Sequence, residues 1–339
     1  MKNRILYLDI IRVMACLMII AMHAPIPNTG LSSYLLSSDS LLTAPGIGLF
    51  IMVSGALLLP VSISTDQFLK KRFSKIACPT FFWTMFYYLV APYTETVDRG
   101  VGIVSFMSIL FSPQFNDVLW FMYMLAGLYL LAPILSAWLK QIKRREIEFY
   151  LFLWGVTMCY PIIRDVVWVN EGYSGIFYYF GGYAGYFLLG YYLHNYVNQI
   201  SVWKCLLFLI IPLSIAATIK IQGIQVGFYD MFWYLSIFVA MMCIAWFMLL
   251  KKMNVAYNGS SRWHRNIVFI SNCCFGIYLV HIFVMRSLLW RWAIIQDLNG
   301  IVQIGTITVL SFVGSLLITW LISYIPRAEY IIGFKQSKK

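Results

Sequence analysis

Ile5–Ala24 reads ILYLDIIRVMACLMIIAMHA, and the fold of the chain is decided by how this stretch is understood. At ~1.5 Å per residue, about twenty residues of this character are long enough to cross a bilayer. Three ionisable side chains, Asp9, Arg12 and His23, interrupt the apolar run. Each costs roughly 2.5–3.5 kcal/mol at membrane depth on insertion scales, so three in one span need a reason. Arg12 and His23 are about three helical turns apart and share a side. Asp9 precedes Arg12 at i,i+3 spacing, which allows an ion pair on the same stripe.

Composition carries this reading outward. Of 339 residues, 61% are hydrophobic and only 11% charged, against about 25% charged in an ordinary soluble domain. The expected class is an all-α integral membrane protein, with residues 1–339 forming a single transmembrane domain and no segment long enough for a separate soluble one. The first span is too long, and too poor in a cleavage pattern, for a removed signal peptide. Cys16, Cys78, Cys159, Cys205, Cys243, Cys273 and Cys274 show neither metal nor disulfide spacing and read as small buried hydrophobes. The net charge of +12 does not point to nucleic acid, because the basic residues sit beside the spans, where they set orientation.

Apolar runs separated by polar or Gly/Pro-marked connections give about ten spans, near 5–24, 44–61, 76–93, 118–138, 149–168, 176–194, 202–220, 231–250, 266–287 and 302–325. With the N-terminus in the cytoplasm, nineteen Lys and Arg fall on the inner side and five on the outer, with Arg12 inside the first span. This positive-inside bias predicts cytoplasmic N- and C-termini. Arg12 then lies toward the cytoplasm and His23 ~16 Å further out. The longest outer connections, 25–44 and 94–117, are the natural places for a lid or a substrate-contacting loop.

Several residues invite chemistry, and most admit a plainer reading. His23 is either a packing residue near a helix end or a base. With an unperturbed pKa of ~6.5, a neutral imidazole can take a proton from a hydroxyl attacking an ester or thioester. The inner loop Phe68–Pro79 carries Lys70, Lys71, Arg72 and Lys75, which suit a positive-inside anchor. Arg72 and Lys75, at i,i+3, equally suit a phosphate-bearing donor. Gly46–Gly55, with Ser54, reads as a close-packing face for another helix, expected to be the first. Trp120 and Tyr123 read first as belt aromatics and second as substrate contacts. Tyr278 and His281, in the ninth span, suit interhelical hydrogen bonding or a site role. His194 and His264 read as solvated residues at the cytoplasmic boundary. Nothing has the spacing of a zinc site, a Walker loop or a Gly-x-Ser-x-Gly elbow. On polar residues and helix count alone, a transporter or flippase using the stripe as a path fits as well as an enzyme.

Six motifs in order change that balance. They are Asp9-Ile-Ile-Arg12 followed by His23, Gly48–Gly55, Arg72-Phe-Ser-Lys75 before Pro79, Leu119–Tyr123 with Tyr129–Pro133, Gly185–Leu193, and Ser271–His281. Together they resemble the membrane acyltransferase-3 family of bacterial O-acyltransferases along essentially the whole chain. The resemblance implies transfer of an acyl group, usually acetyl from acetyl-CoA, to a hydroxyl of an exported glycan or glycolipid. His23 would match the family's essential histidine, acting as general base or transient acyl carrier, Arg12 its arginine partner, and Arg72 with Lys75 its basic pair, Lys71 lying alongside. Lys75 stands where the family often has a second arginine, so a point charge replaces a forked guanidinium. The chain resembles the compact, single-domain members, such as the one that acetylates enterobacterial common antigen. The expectations that follow are acyl-CoA as donor substrate with no permanently bound cofactor, a glycan or glycolipid acceptor, surrounding membrane lipids, and a multi-pass position in the bacterial cytoplasmic membrane.

Overall fold

The computed structural model describes residues 4–24, 39–94, 119–167, 180–224, 226–227, 231–253 and 259–336. The two connections expected to act as lids lie largely outside these residues. Helices form almost every regular element, and the described residues contain no strand. In chain order they are α1 (Leu6–Met22), α2 (Pro45–Leu58), α3 (Thr65–Thr94), α4 (Trp120–Leu139), α5 (Arg144–Thr157) and α6 (Tyr160–Val167). There follow α7 (Ala184–Tyr196), α8 (Val202–Ile221), α9 (Ile237–Lys252) and α10 (Arg262–Ile282), which runs into a π-helical segment, Phe283–Leu288. Beyond a 3₁₀ turn lie α11 (Ala293–Gln296), α12 (Gly300–Ile322) and α13 (Glu329–Ile332).

Six stretches among the described residues are long and apolar enough to cross a membrane: Asp39–Leu58, Trp120–Leu139, Arg144–Arg164, Val202–Ile221, Arg262–Arg291 and Gly300–Ile322. These six coincide with six of the expected spans, those near 44–61, 118–138, 149–168, 202–220, 266–287 and 302–325. The basic stretch 68–79, expected as a loop, is helical and belongs to α3. A run that is charged at one end and apolar at the other can stay in one helix, and the charges simply ride on its first turns.

The chain divides into two compact units, the first comprising Met1–Met22, Asn28–Pro60 and Ile134–Ser271, and the second His23–Pro27, Val61–Pro133 and Asn272–Lys339. In the first, α2 is the central element and packs on α1, α7 and α9. Its glycines explain how. A Cβ on Gly46 would sit 3.0 Å from the Met18 Cβ of α1. One on Gly55 would lie 1.8 Å from the Phe187 carbonyl oxygen of α7, and one on Gly190 of α7 would lie 2.0 Å from the Met52 carbonyl oxygen of α2. The closest approach of the glycine-rich span is thus to α7, while the expected partner α1 also packs against it. Backbones this near gain dispersion contact that any side chain would forbid.

In the second unit, α3 packs along α13, and the Trp83 indole donates to the Ile331 carbonyl at 2.9 Å. The Tyr87 hydroxyl donates to the Leu279 carbonyl at 2.7 Å, just before the helix loosens into its π-helical segment. Phe86 packs edge-on against Phe283 in that segment, with ring centroids 5.1 Å apart. A π-helical stretch costs hydrogen-bond quality and is often found beside functional residues. Here it begins two residues after His281.

Candidate active site

In the first unit, the polar group of α1 is built around Asp9, which is 5% exposed. A carboxylate this deep must be paired or neutralised. Arg4, just before α1 begins, supplies a fork, with Nε to Oδ2 at 2.8 Å and Nη2 to Oδ1 at 2.9 Å. Ser271 of α10 donates its hydroxyl to Asp9 Oδ1 at 2.6 Å and accepts from Arg12 Nη1 at 3.1 Å. Arg12 and Asp9 themselves are 3.9 Å apart. The i,i+3 pair is therefore the looser contact, and the bidentate partner is Arg4, since a forked guanidinium matches both carboxylate oxygens. One carboxylate, two guanidiniums and a serine hydroxyl join the start of the chain to a residue 262 positions later.

Still in this unit, the Tyr7 hydroxyl meets His194 Nδ1. Lys251 places Nζ 2.8 Å from each of the carbonyls of Leu193, His194 and Val197, so its three protons close the open end of α7. A cation there also complements the negative end of the helix dipole. His194 is thus held by Tyr7 and His264 is 8% exposed. Both correct the solvated reading, which counted their boundary position and not the helices that cover them. Ser54 returns its hydroxyl to the Phe50 carbonyl at 3.0 Å, within its own helix.

In the second unit, His23 sits in the turn after α1, its ring 5.2 Å from that of His281, tilted at 65°. His281 is completely buried. Its Nδ1 bonds the Tyr278 carbonyl three residues back, which fixes the proton on Nδ1 and leaves Nε2 as an acceptor. That Nε2 is buried and has no hydrogen-bond partner among the described residues. Tyr278 is itself 4% exposed and packs between the His281 ring, at 5.6 Å, and Phe121 of α4, at 5.4 Å. Two histidines far apart in the chain, at positions 23 and 281, are thereby brought face to edge.

The basic residues of α3 separate by role. Lys70 pairs with Asp66 at 3.1 Å on the surface, and Lys71 and Lys75 are exposed. Arg72 instead folds inward, its guanidinium over Phe68 at 5.8 Å and Tyr129 at 6.0 Å. Such stacking is favourable by about 0.5–2 kcal/mol per contact depending on desolvation. Its Nε is a buried donor without a partner among the described residues. Trp120 and Tyr123 are half-buried at the start of α4, while the neighbour that reaches Tyr278 is Phe121. Cys78 is exposed and Cys159 half-buried, so only the other five cysteines fit the buried reading.

Sequence reasoning missed Arg4, Ser271 and Phe121. Arg4 was legible only as a charge on the inner side, because it precedes the helix and no periodicity ties it to Asp9. Ser271 stood at the head of a motif, but a serine has no signal of its own until a carboxylate lies opposite.

The comparisons with known proteins were as follows. A family model described as an acyltransferase domain, of the acyltransferase-3 type, matches residues 5–323. No curated protein and no solved structure gives a significant match.

Proposed function

The chain belongs to the membrane acyltransferase-3 family, and from that premise we propose that it moves an acyl group, acetyl in the simplest case, from a cytoplasmic acyl-CoA to a hydroxyl of an extracytoplasmic or lipid-linked glycan. The family and the apolar helices make the protein a multi-pass membrane acyltransferase; donor, acceptor and residue roles are our reading. His23 acts as general base. It takes the proton as the acceptor oxygen attacks the thioester carbonyl, the carbon–sulfur bond breaks, and the proton passes to the departing CoA thiolate. Arg72 and Lys75, with Lys71 beside them, meet the phosphates of the donor. Asp9, itself fixed by Arg4, and Ser271 hold Arg12, which orients α1 and contributes no proton.

The observation that carries this reading is the His23–His281 pair with its orphaned acceptor. A buried nitrogen lone pair left unbonded costs about 1–3 kcal/mol, a cost that a hydroxyl-bearing substrate would relieve. The orphaned Nε of Arg72 supports the donor end in the same way: it is a buried donor that an anionic oxygen would satisfy.

Purified protein given labelled acetyl-CoA should release CoA only when a glycan acceptor is present. His23→Ala, correctly inserted, should lose that transfer by roughly 10²–10⁴-fold, the usual contribution of a positioned base. Full transfer by H23A would remove the central role of the histidine. Uptake into vesicles without CoA release would instead favour transport.

A further inference from the structure

Away from the polar groups, the first unit contains a cavity of about 310 Å³ between the end of α4, the middle of α5 and the start of α7. Its walls include Trp138, Tyr150, Trp154, Phe180, Ala184 and Leu188. Ligand pockets begin at about 300 Å³, so the volume suffices for a chain or a small molecule. The chemistry of the wall narrows the choice. The one indole N–H of Trp154 is already spent on the Gly182 carbonyl at 2.9 Å, and the neighbouring rings pack on one another, Trp138 against Tyr150 at 5.1 Å and Tyr150 against Phe180 at 6.2 Å. A sugar or a nucleotide would find few bonds there, and a hydrocarbon chain loses none.

One end of the cavity is strongly basic. Trp138 is two residues from Lys140, and the turn from α4 to α5 carries Lys140, Lys143, Arg144 and Arg145, all exposed. Arg144 is committed to Glu148 at 2.7 Å and lies over Tyr192 at 5.8 Å, one helical turn beyond Leu188. Lys143 and Arg145 flank Arg144 in the chain, and Lys140 lies four residues before it. Tyr150 lies six residues beyond Arg144, ~9 Å along α5, within reach of a lipid whose phosphate rests at the turn. The apolar stretch Arg144–Arg164 begins at this turn, and only 22% of its most apolar window is buried, so most of it is left for hydrocarbon beside a basic border.

We propose that this cavity is a binding site for an anionic phospholipid, one acyl chain lying between the aromatic rings and the phosphate resting on Lys140, Lys143 and Arg145. The charge complementarity selects the headgroup, because basic residues beside a membrane attract anionic lipid. The site is independent of the acyl-transfer reading.

The test uses the full chain in detergent with equimolar phosphatidylglycerol and phosphatidylcholine of identical chains, with bound lipid counted by native mass spectrometry. Wild type should retain phosphatidylglycerol over phosphatidylcholine by at least about tenfold. The triple variant K140Q/K143Q/R145Q, altered only at exposed positions, should bring the ratio to about one while keeping a bound lipid. Ala184→Phe, which fills the cavity, should reduce both lipids several-fold; if circular dichroism shows that it misfolds, Leu151→Trp takes its place. A wild-type ratio near one, a ratio unchanged in the triple variant, or binding unchanged by filling would each overturn the proposal. So would a wild-type dimer that A184F disperses, since a second copy would then be the occupant.

Discussion

Ser271→Ala removes the hydroxyl that stands between a buried carboxylate and a guanidinium, and its cost can be worked from the distances. The bond to Asp9 Oδ1 at 2.6 Å is lost outright, as is the bond accepted from Arg12 at 3.1 Å. Hydrogen bonds to charged groups contribute about 1.5–3 kcal/mol each. Arg12 already stands 3.9 Å from Asp9, so it can close on the freed oxygen and recover part of one bond. Asp9 also keeps both bonds from Arg4. The net expectation is a loss of about 2–3 kcal/mol in unfolding free energy, by the same bond values. Ser271→Cys keeps the volume and weakens the donor, so it should show most of the loss if hydrogen bonding is the cause. The assay is equilibrium unfolding in mixed micelles followed by circular dichroism, on S271A, Asp9→Asn and the double variant. Groups in one network couple by about 0.5–3 kcal/mol, so the double variant should lose less than the sum of the singles. Strict additivity, or an S271A loss below about 0.5 kcal/mol, would show that the serine bridges nothing.

Two further predictions concern stability alone. Gly55→Ala and Gly190→Ala each put a methyl group within 2.0 Å of a facing backbone oxygen; either should cost upwards of the 1–3 kcal/mol usual for overpacking, read as a fall in melting temperature, and unchanged melting would mean that α2 and α7 are further apart than described. Lys251→Met leaves the carbonyls of Leu193, His194 and Val197 without their cation; water can rehydrate some of them, so the loss should be about 1.5–3 kcal/mol in the same melting measurement.

What could be read in the sequence was whatever periodicity or composition encodes. The apolar runs announced helices, and the glycines between Gly46 and Gly55 announced close packing. The register of Arg12 and His23 on α1 follows from helical geometry alone. Partners chosen across long separations could not be read that way. Asp9 prefers Arg4, which precedes the helix, and reaches Ser271 on a helix more than 250 residues later. His281 meets His23 because the turn after α1 and the end of α10 come together. His194 looked solvated for the same reason: its position in the chain says nothing of Tyr7 and Lys251. The change from loop to helix at 68–79 has a different cause, since charged residues are ordinary helix formers and hydropathy alone does not mark where such a helix begins.

The central place of α2 also sets a timetable for biogenesis. Its narrow faces are matched by α7 and α9, whose residues are made long after its own, starting at Ala184 and Ile237. At synthesis rates of about 5–20 residues per second, the 139 residues between Pro45 and Ala184 take roughly 7–28 s to appear. Throughout that interval the nascent chain holds a glycine-lined helix whose main partner does not yet exist, while the segment 61–133 of the other unit is delivered first. Assembly of the first unit is therefore post-insertional by necessity, and a transient companion in the bilayer, lipid or insertase, has seconds in which to occupy that face.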